Sequence, residues 1–238
     1  MPNPLVIAHR GDPTHALENS LDAIQRALDL SVDMIELDVR RSRDNGLYVM
    51  HDRMTGRTAD KNIDMERSSS EKISRVTLKN NEPVPALSEV CSLVNGRCGL
   101  NLEIKSKGAG ALTAVYIRSS GYHGDILISS FKEQEIRDAR AVMPELSAGM
   151  IFDSFPVRSV PRYAKKGYTV ISLSKKTVSE ELVSACHEQG VKVYVWTVDD
   201  EENMRQLIAW GVDGLYSNRP GVLKKIVDAG RGELNAKG

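Results

Sequence analysis

From residue 5 to residue 229 the chain alternates short apolar runs with stretches that carry the helical period, and it does so eight times. Strands are expected at residues 5–8, 34–40, 99–105, 125–131, 146–152, 168–173, 191–198 and 212–217. Helices are expected at about residues 19–30, 87–94, 111–120, 133–142, 157–166, 179–189, 200–210 and 221–229. In the first of these Leu21, Ile24, Ala27 and Leu28 recur three and four apart. A helix between two strands lets them lie parallel, so eight such units predict an α/β chain closed into a (β/α)8 barrel, the TIM-barrel architecture. An open doubly wound sheet is the alternative, because rhythm alone does not require closure. The 238 residues are expected to form one domain, residues 1–238. After the second strand, Asp44-Asn45-Gly46 marks a turn and residues 47–50 a return strand ending on His51-Asp52. Residues 53–85 then lose the pattern, with apolar islands such as Ile73 and Val76, and are expected as a short surface excursion.

In such a barrel reactive side chains belong at the C-terminal ends of the strands. The second strand, Met34-Ile-Glu-Leu-Asp-Val-Arg40, alternates Ile35, Leu37 and Val39 with Glu36, Asp38 and Arg40. Side chains two apart share a face with α-carbons roughly 6.5 Å apart, so both carboxylates can lean onto one cation. The third strand repeats the pattern, setting Asn101, Glu103 and Lys105 on one face between Leu102 and Ile104. His9 and Arg10 end the first strand and His51 ends the return segment. Inward positions of a barrel are ordinarily Val, Ile and Leu, so this polar concentration points to a site.

Glu36, Asp38 and Glu103 make a hard oxygen site suited to a divalent cation, Mg²⁺ or Ca²⁺, and less to zinc. His9 and His51 could add nitrogen ligands or serve as an acid and a base. Arg10 and Lys105 favour an anionic substrate group such as a phosphate. Together these groups suggest cleavage of a phosphate ester. Trp196 and Phe131 could wall the rim for a carbon skeleton, or simply pack the barrel. His15, His123 and His187 have no matching partners in the sequence and are assigned to solvent.

Charge supports a local rather than global anion site. Lys plus Arg and Asp plus Glu are each 32, so the formal net charge is zero and nothing favours nucleic acid or an anionic membrane. No apolar run approaches the ~18 residues of a membrane span. Cys91, Cys98 and Cys186 form no C-x-x-C motif and are odd in number, which favours a reducing compartment. Polar residues follow the first strand at once, leaving no room for a secretory signal, so a cytoplasmic protein with a small-molecule substrate is expected.

The ordered motifs resemble the glycerophosphodiester phosphodiesterase family over nearly the whole chain. His9-Arg10-Gly11 is similar to the family's opening His-Arg-Gly, Leu17-Glu-Asn-Ser20 to its Pro-Glu-Asn-Thr, and Glu36-Leu-Asp38 to its Glu-x-Asp pair. His51-Asp52, Glu103-Ile-Lys105, Ser130-Phe131, Val195-Trp-Thr197 and Asp213-Gly214 fall in the family's order. The resemblance implies a (β/α)8 barrel in which Glu36, Asp38 and Glu103 hold a divalent cation. It further implies that His9 and His51 are the general acid and base and that Arg10 and Lys105 bind phosphate. The implied reaction is hydrolysis of a glycerophosphodiester, such as glycerophosphocholine or glycerophosphoethanolamine, to glycerol 3-phosphate and an alcohol. A glycerol hydroxyl would attack phosphorus first and water would open the cyclic phosphate. A lipid phosphodiesterase acting on lysophospholipid with the same residues, and a non-catalytic phosphate-binding barrel, are the alternatives. The chain departs from the family pattern at Leu17 and Ser20, and Leu215-Tyr-Ser-Asn218 before Arg219-Pro220 replaces the more usual Thr-Asp-x-Pro.

Overall fold

The computed structural model describes residues 3–235, with side chains to residue 230. Nine strands occur among the described residues: β1 (Leu5–His9), β2 (Met34–Arg41), β3 (Leu47–Val49), β4 (Gly99–Ile104), β5 (Ile126–Ser130), β6 (Ser147–Phe152), β7 (Val170–Ser174), β8 (Lys192–Trp196) and β9 (Gly214–Ser217). Eight of them are parallel neighbours in the order β1-β9-β8-β7-β6-β5-β4-β2, and β1 pairs with β2, which closes the barrel. The open sheet is thereby excluded. Only β3 runs antiparallel, turning back on the C-terminal end of β2 through Val39 and Val49.

The helices are α1 (Leu21–Asp29), α2 (Ser70–Ile73), α3 (Leu87–Val94), α4 (Ala109–Ser120), α5 (Glu133–Val142), α6 (Val160–Lys165), α7 (Glu180–Glu188), α8 (Glu201–Ala209) and α9 (Pro220–Asn235). Each of α3 to α9 leaves one apolar stripe under the barrel wall, and α1 does the same with Ala23, Ile24, Ala27 and Leu28. Outward-facing strand residues such as Ile35, Leu37, Val39, Leu100, Leu102 and Ile104 meet these stripes in one continuous core. The barrel's lower interior is closed by a separate plug of Ile7, Met34, Leu127, Val170, Tyr194 and Tyr216. Above that plug the inward positions turn polar, and the site sits there.

Residues 53–85 form the excursion expected after the second strand, and it has an ordered interior. They hold two 3-10 turns, Thr55–Arg57 and Met65–Arg67, and helix α2, packed on a second core of Met50, Ala59, Met65, Ile73, Val76, Leu78 and Val84. The apolar islands are thus the interior of a small cap. Glu82 from this cap accepts from the backbone N–H groups of Leu21 and Asp22 at 2.8 and 3.2 Å, satisfying donors that a helix start leaves open. The cap therefore anchors α1, whose preceding loop carries Glu18 and Asn19.

Candidate active site

Strand register builds the site. His9 lies beside Glu36, Glu36 beside Asn101, and Asp38 beside Glu103 across neighbouring strands. Because successive side chains alternate, these residues all fall on the inner face near the C-terminal mouth. The sharp exit from β1 needs Gly11: its φ is +88°, and an added Cβ would stand 2.6 Å from the Ala23 carbonyl carbon.

Glu36, Asp38 and Glu103 are buried, and each offers an oxygen within 4.8 Å of the others. Two cations lean on this group. Lys105 Nζ lies 2.6 Å from Glu103 Oε1 and 3.1 Å from Asp38 Oδ1, while Arg10 Nε lies 3.2 Å from Asp38 Oδ2. Asn19 donates from Nδ2 to the same Asp38 oxygen at 2.8 Å. Burial alone would raise the Asp38 carboxyl, but Lys105 and Arg10 outweigh it and hold the group down at about 2. Glu36 goes the other way: burial, then Asp38 and Glu103, push its carboxyl well above the usual range. Burial and Asp38 also raise Glu103.

Glu36 Oε1 is buried and has no hydrogen-bond partner. A buried carboxylate oxygen left without a partner is costly. Three such carboxylates on one face are the donor set of a hard divalent cation, so the residues fit the metal that the resemblance implied. Their spacing and shared burial are what a metal would relieve.

The two histidines line the same cavity, each with Nδ1 held by a neighbour. Asn218 donates from Nδ2 to Asp199 Oδ2 at 2.8 Å and from its backbone N–H to Asp199 Oδ1 at 2.7 Å. Its amide oxygen is thereby turned to His9 Nδ1, 2.7 Å away, so His9 carries its proton on Nδ1. Its Nε2, 3.8 Å from Glu36 Oε2, is left to accept. Burial, followed by Arg10, lowers the His9 pKa and keeps the ring neutral. His51 donates from Nδ1 to Asp52 Oδ1 at 2.6 Å, and Arg40 fixes its carbonyl oxygen with two bonds of 2.8 and 2.6 Å.

A cavity of about 200 Å³ joins these groups. Phe131 and Trp196 meet edge to face at its rim with centroids 5.8 Å apart, and Lys105 Nζ stands 6.0 Å over the Phe131 ring. Tyr216, Asn101 and Ser172 make its hydrogen-bonded floor, with Ser129 behind it: Asn101 donates to Tyr216 at 2.9 Å and accepts from Ser129 at 2.7 Å. All nine residues singled out in the sequence thus converge at this mouth. Glu18, Arg57, Asp199 and Asn218 were given no role. Glu18 left a signal within the motif Leu17-Glu-Asn-Ser20 and Asn218 as a departure in the last strand's exit, whereas Arg57 and Asp199 left none. His15 and His187, assigned to solvent, have partners after all, Asp12 and Asp213, each at 2.8 Å, and both remain outside the site.

A closed (β/α)8 barrel with a buried acidic triad, paired cations and two histidines at its mouth belongs among the barrel enzymes that work on phosphate esters. Residues 9–222 match the model of the glycerophosphoryl diester phosphodiesterase family. A glycerophosphodiester phosphodiesterase of Caldanaerobacter subterraneus is 32% identical over 95% of this chain and 98% of its own length. One from Arabidopsis thaliana is 27% identical over 99% of this chain and 76% of its own. The solved glycerophosphodiester phosphodiesterase of Agrobacterium tumefaciens superposes with a TM-score of 0.82 at 26% identity, covering 93% of this chain and 99% of that one. A phosphodiesterase of Oleispira antarctica, solved with the product sn-glycerol-3-phosphate, superposes with a TM-score of 0.88 at 24% identity, covering 95% and 97%. The chain belongs to the glycerophosphoryl diester phosphodiesterase family and is a phosphoric diester hydrolase.

Proposed function

We propose that the protein, acting as one domain of residues 1–238 in the cytoplasm, is a metal-dependent phosphodiesterase that cleaves small glycerophosphodiesters, glycerophosphocholine or glycerophosphoethanolamine among them, to glycerol 3-phosphate and an alcohol. The observation that carries this reading is the unpartnered Glu36 oxygen inside a buried acidic triad, in a cavity shared with two histidines whose Nδ1 atoms are both held by other groups.

Glu36, Asp38 and Glu103 are the residues that would hold Mg²⁺ or Ca²⁺, which when bound supplies Lewis acidity to a phosphoryl oxygen. Arg10 and Lys105 bind the phosphate and offset its charge. His9, with Nδ1 committed to Asn218 and Nε2 unprotonated, takes the proton of the attacking glycerol hydroxyl. Attack from within the substrate removes most of the orientation cost of a second reactant. His51 gives its proton to the departing alcohol oxygen, and the roles reverse when water opens the cyclic phosphate. Phe131 and Trp196 cover the substrate's carbon skeleton and limit water at the mouth. No helix of the described residues is long and apolar enough to cross a membrane.

The test is release of glycerol 3-phosphate from glycerophosphocholine by the purified protein, with EDTA and then with Mg²⁺ or Ca²⁺ restored. Release that EDTA stops and one metal restores supports the reading and names a competent cation. Release that survives EDTA removes the metal from it. No release with either metal, but release of lysophosphatidic acid from a lysophospholipid, turns the reading to the lipid substrate; failure of both leaves a phosphate-binding barrel.

A further inference from the structure

We infer that Arg57, outside the central cavity, is a positioning residue that holds the catalytic ring of His51 and the phosphate-binding guanidinium of Arg10 in one frame. This rests on the proposed roles of those two residues. Arg57 ends the first 3-10 turn of the cap and does not line the central cavity; it lines a neighbouring open cavity beside His51, Asp52 and Lys105, and its hydrogen bonds run to Asp52 and Glu18 rather than to the acidic triad. Its Nε donates to Asp52 Oδ2 at 2.5 Å, and Asp52 Oδ1 accepts from His51 Nδ1 at 2.6 Å. Its Nη2 and Nη1 donate to Glu18 Oε1 and Oε2 at 2.6 and 2.8 Å, and Glu18 Oε1 also accepts from Arg10 Nη1 at 2.9 Å.

The result is an unbroken chain, His51 to Asp52 to Arg57 to Glu18 to Arg10, that ties the end of β3 to the end of β1. These two strands share no hydrogen-bonded pairing of their own. The His51 backbone is fixed separately by Arg40, but nothing in that contact sets the ring's rotation. Ring rotation is set by Asp52, and Asp52 is held by Arg57. A guanidinium suits the task because its planar fork can serve both carboxylates at once, whereas a lysine ammonium must choose between them. Misplacing a proton donor by about 1 Å is enough to cost on the order of a hundredfold in rate.

The distinguishing readout is the leaving group. An alcohol such as choline departs as a poor alkoxide and needs the His51 proton, whereas p-nitrophenol departs readily without one. Because both substrates share the later opening of the cyclic phosphate, the first step is read as single-turnover alcohol release: Arg57→Ala is expected to slow choline release from glycerophosphocholine by about tenfold to a hundredfold, with little change in p-nitrophenol release from a glycerophosphodiester carrying it. Its KM should rise for both substrates, because Arg10 is loosened through Glu18. In a His51→Ala background the slowing of choline release by Arg57→Ala should vanish. Arg57→Lys should fall between. Asp52→Asn, which weakens the link from Arg57 to the His51 ring while leaving Arg57 and Arg10 paired through Glu18, should lower kcat with little change in KM, and it carries the test if Arg57→Ala does not fold. Equal loss of single-turnover alcohol release on both substrates, or a loss that persists in His51→Ala, would mean that Arg57 serves the fold alone and overturns the inference. So would wild-type kinetics in folded Arg57→Ala. Wild-type cleavage of glycerophosphocholine by His51→Ala would instead overturn the catalytic reading beneath it.

Discussion

Glu18 shows how one side chain links charge, burial and pH. Burial alone would raise its carboxyl, but the hydrogen bond from Arg57 and the charge of Arg10 outweigh burial and lower it. A carboxyl held below its unfolded value contributes stability that is complete above the unfolded pKa and fades as pH falls through the folded one. The unfolded value lies near 4.5, so the fading begins there and continues downward. Glu18→Gln should therefore flatten the acid limb of the Tm against pH curve between about pH 5 and pH 3 in metal-free protein. An unchanged slope would show that the ion pairs to Arg10 and Arg57 contribute nothing to folding. No such role is legible for Glu18 in the sequence. Its partner Arg57 lies 39 residues away, and Asn218 lies 209 residues from His9. Glu36, Asp38 and Glu103 could be read because a two-residue period inside a strand fixes which face they share. A hydrogen bond between distant loops has no period.

Among the elements, the strands that carry the site were the most legible part, since β2 and β4 alternate apolar and polar residues over most of their length. The cap was the least legible. Its buried residues, Met65 in a 3-10 turn, Leu78 in a loop and Ile73 in a four-residue helix, share a core without sharing a repeating face. The junction of α4 and α5 was hidden for a different reason, because backbone contact leaves little trace in hydropathy. There the buried carboxylate of Glu135 accepts from the backbone N–H groups of Gly108 and Gly110 at 2.9 and 3.0 Å, which starts α4. The two helices run so close that a Cβ on Gly110 would stand 2.2 Å from the Glu135 carbonyl oxygen. That neighbour is backbone and cannot rotate away. Gly110→Ala should therefore part the helices and destabilise the protein by about 2 kcal/mol despite alanine's better helix propensity. Thermal unfolding reads this as a Tm drop of about 5 °C. A rise in Tm would mean that propensity outweighs the clash.

For the molecule as a whole, stability and chemistry are drawn from different layers of the same barrel. The outward strand faces and the helix stripes form one continuous apolar core, which carries the fold without help from the mouth. That separation lets the mouth keep three buried carboxylates against two cations, an arrangement unfavourable in itself. A cation bound only by the folded protein would relieve it and add stability in proportion to its occupancy, about 2.7 kcal/mol at a concentration a hundred times its Kd. Metal-free protein should accordingly be folded, and saturating Mg²⁺ or Ca²⁺ should raise its Tm by roughly 5–10 °C. Glu36→Gln keeps the shape of the side chain while removing a ligand charge. Because burial and the neighbouring Asp38 and Glu103 already disfavour the charged form of Glu36 in the metal-free site, that variant should leave the metal-free Tm unlowered and abolish the rise. If the variant still gains the full shift, the cation sits elsewhere. If the parent protein gains none, the acidic triad is held by Arg10 and Lys105 alone, and the orphaned oxygen of Glu36 is a cost that the core absorbs.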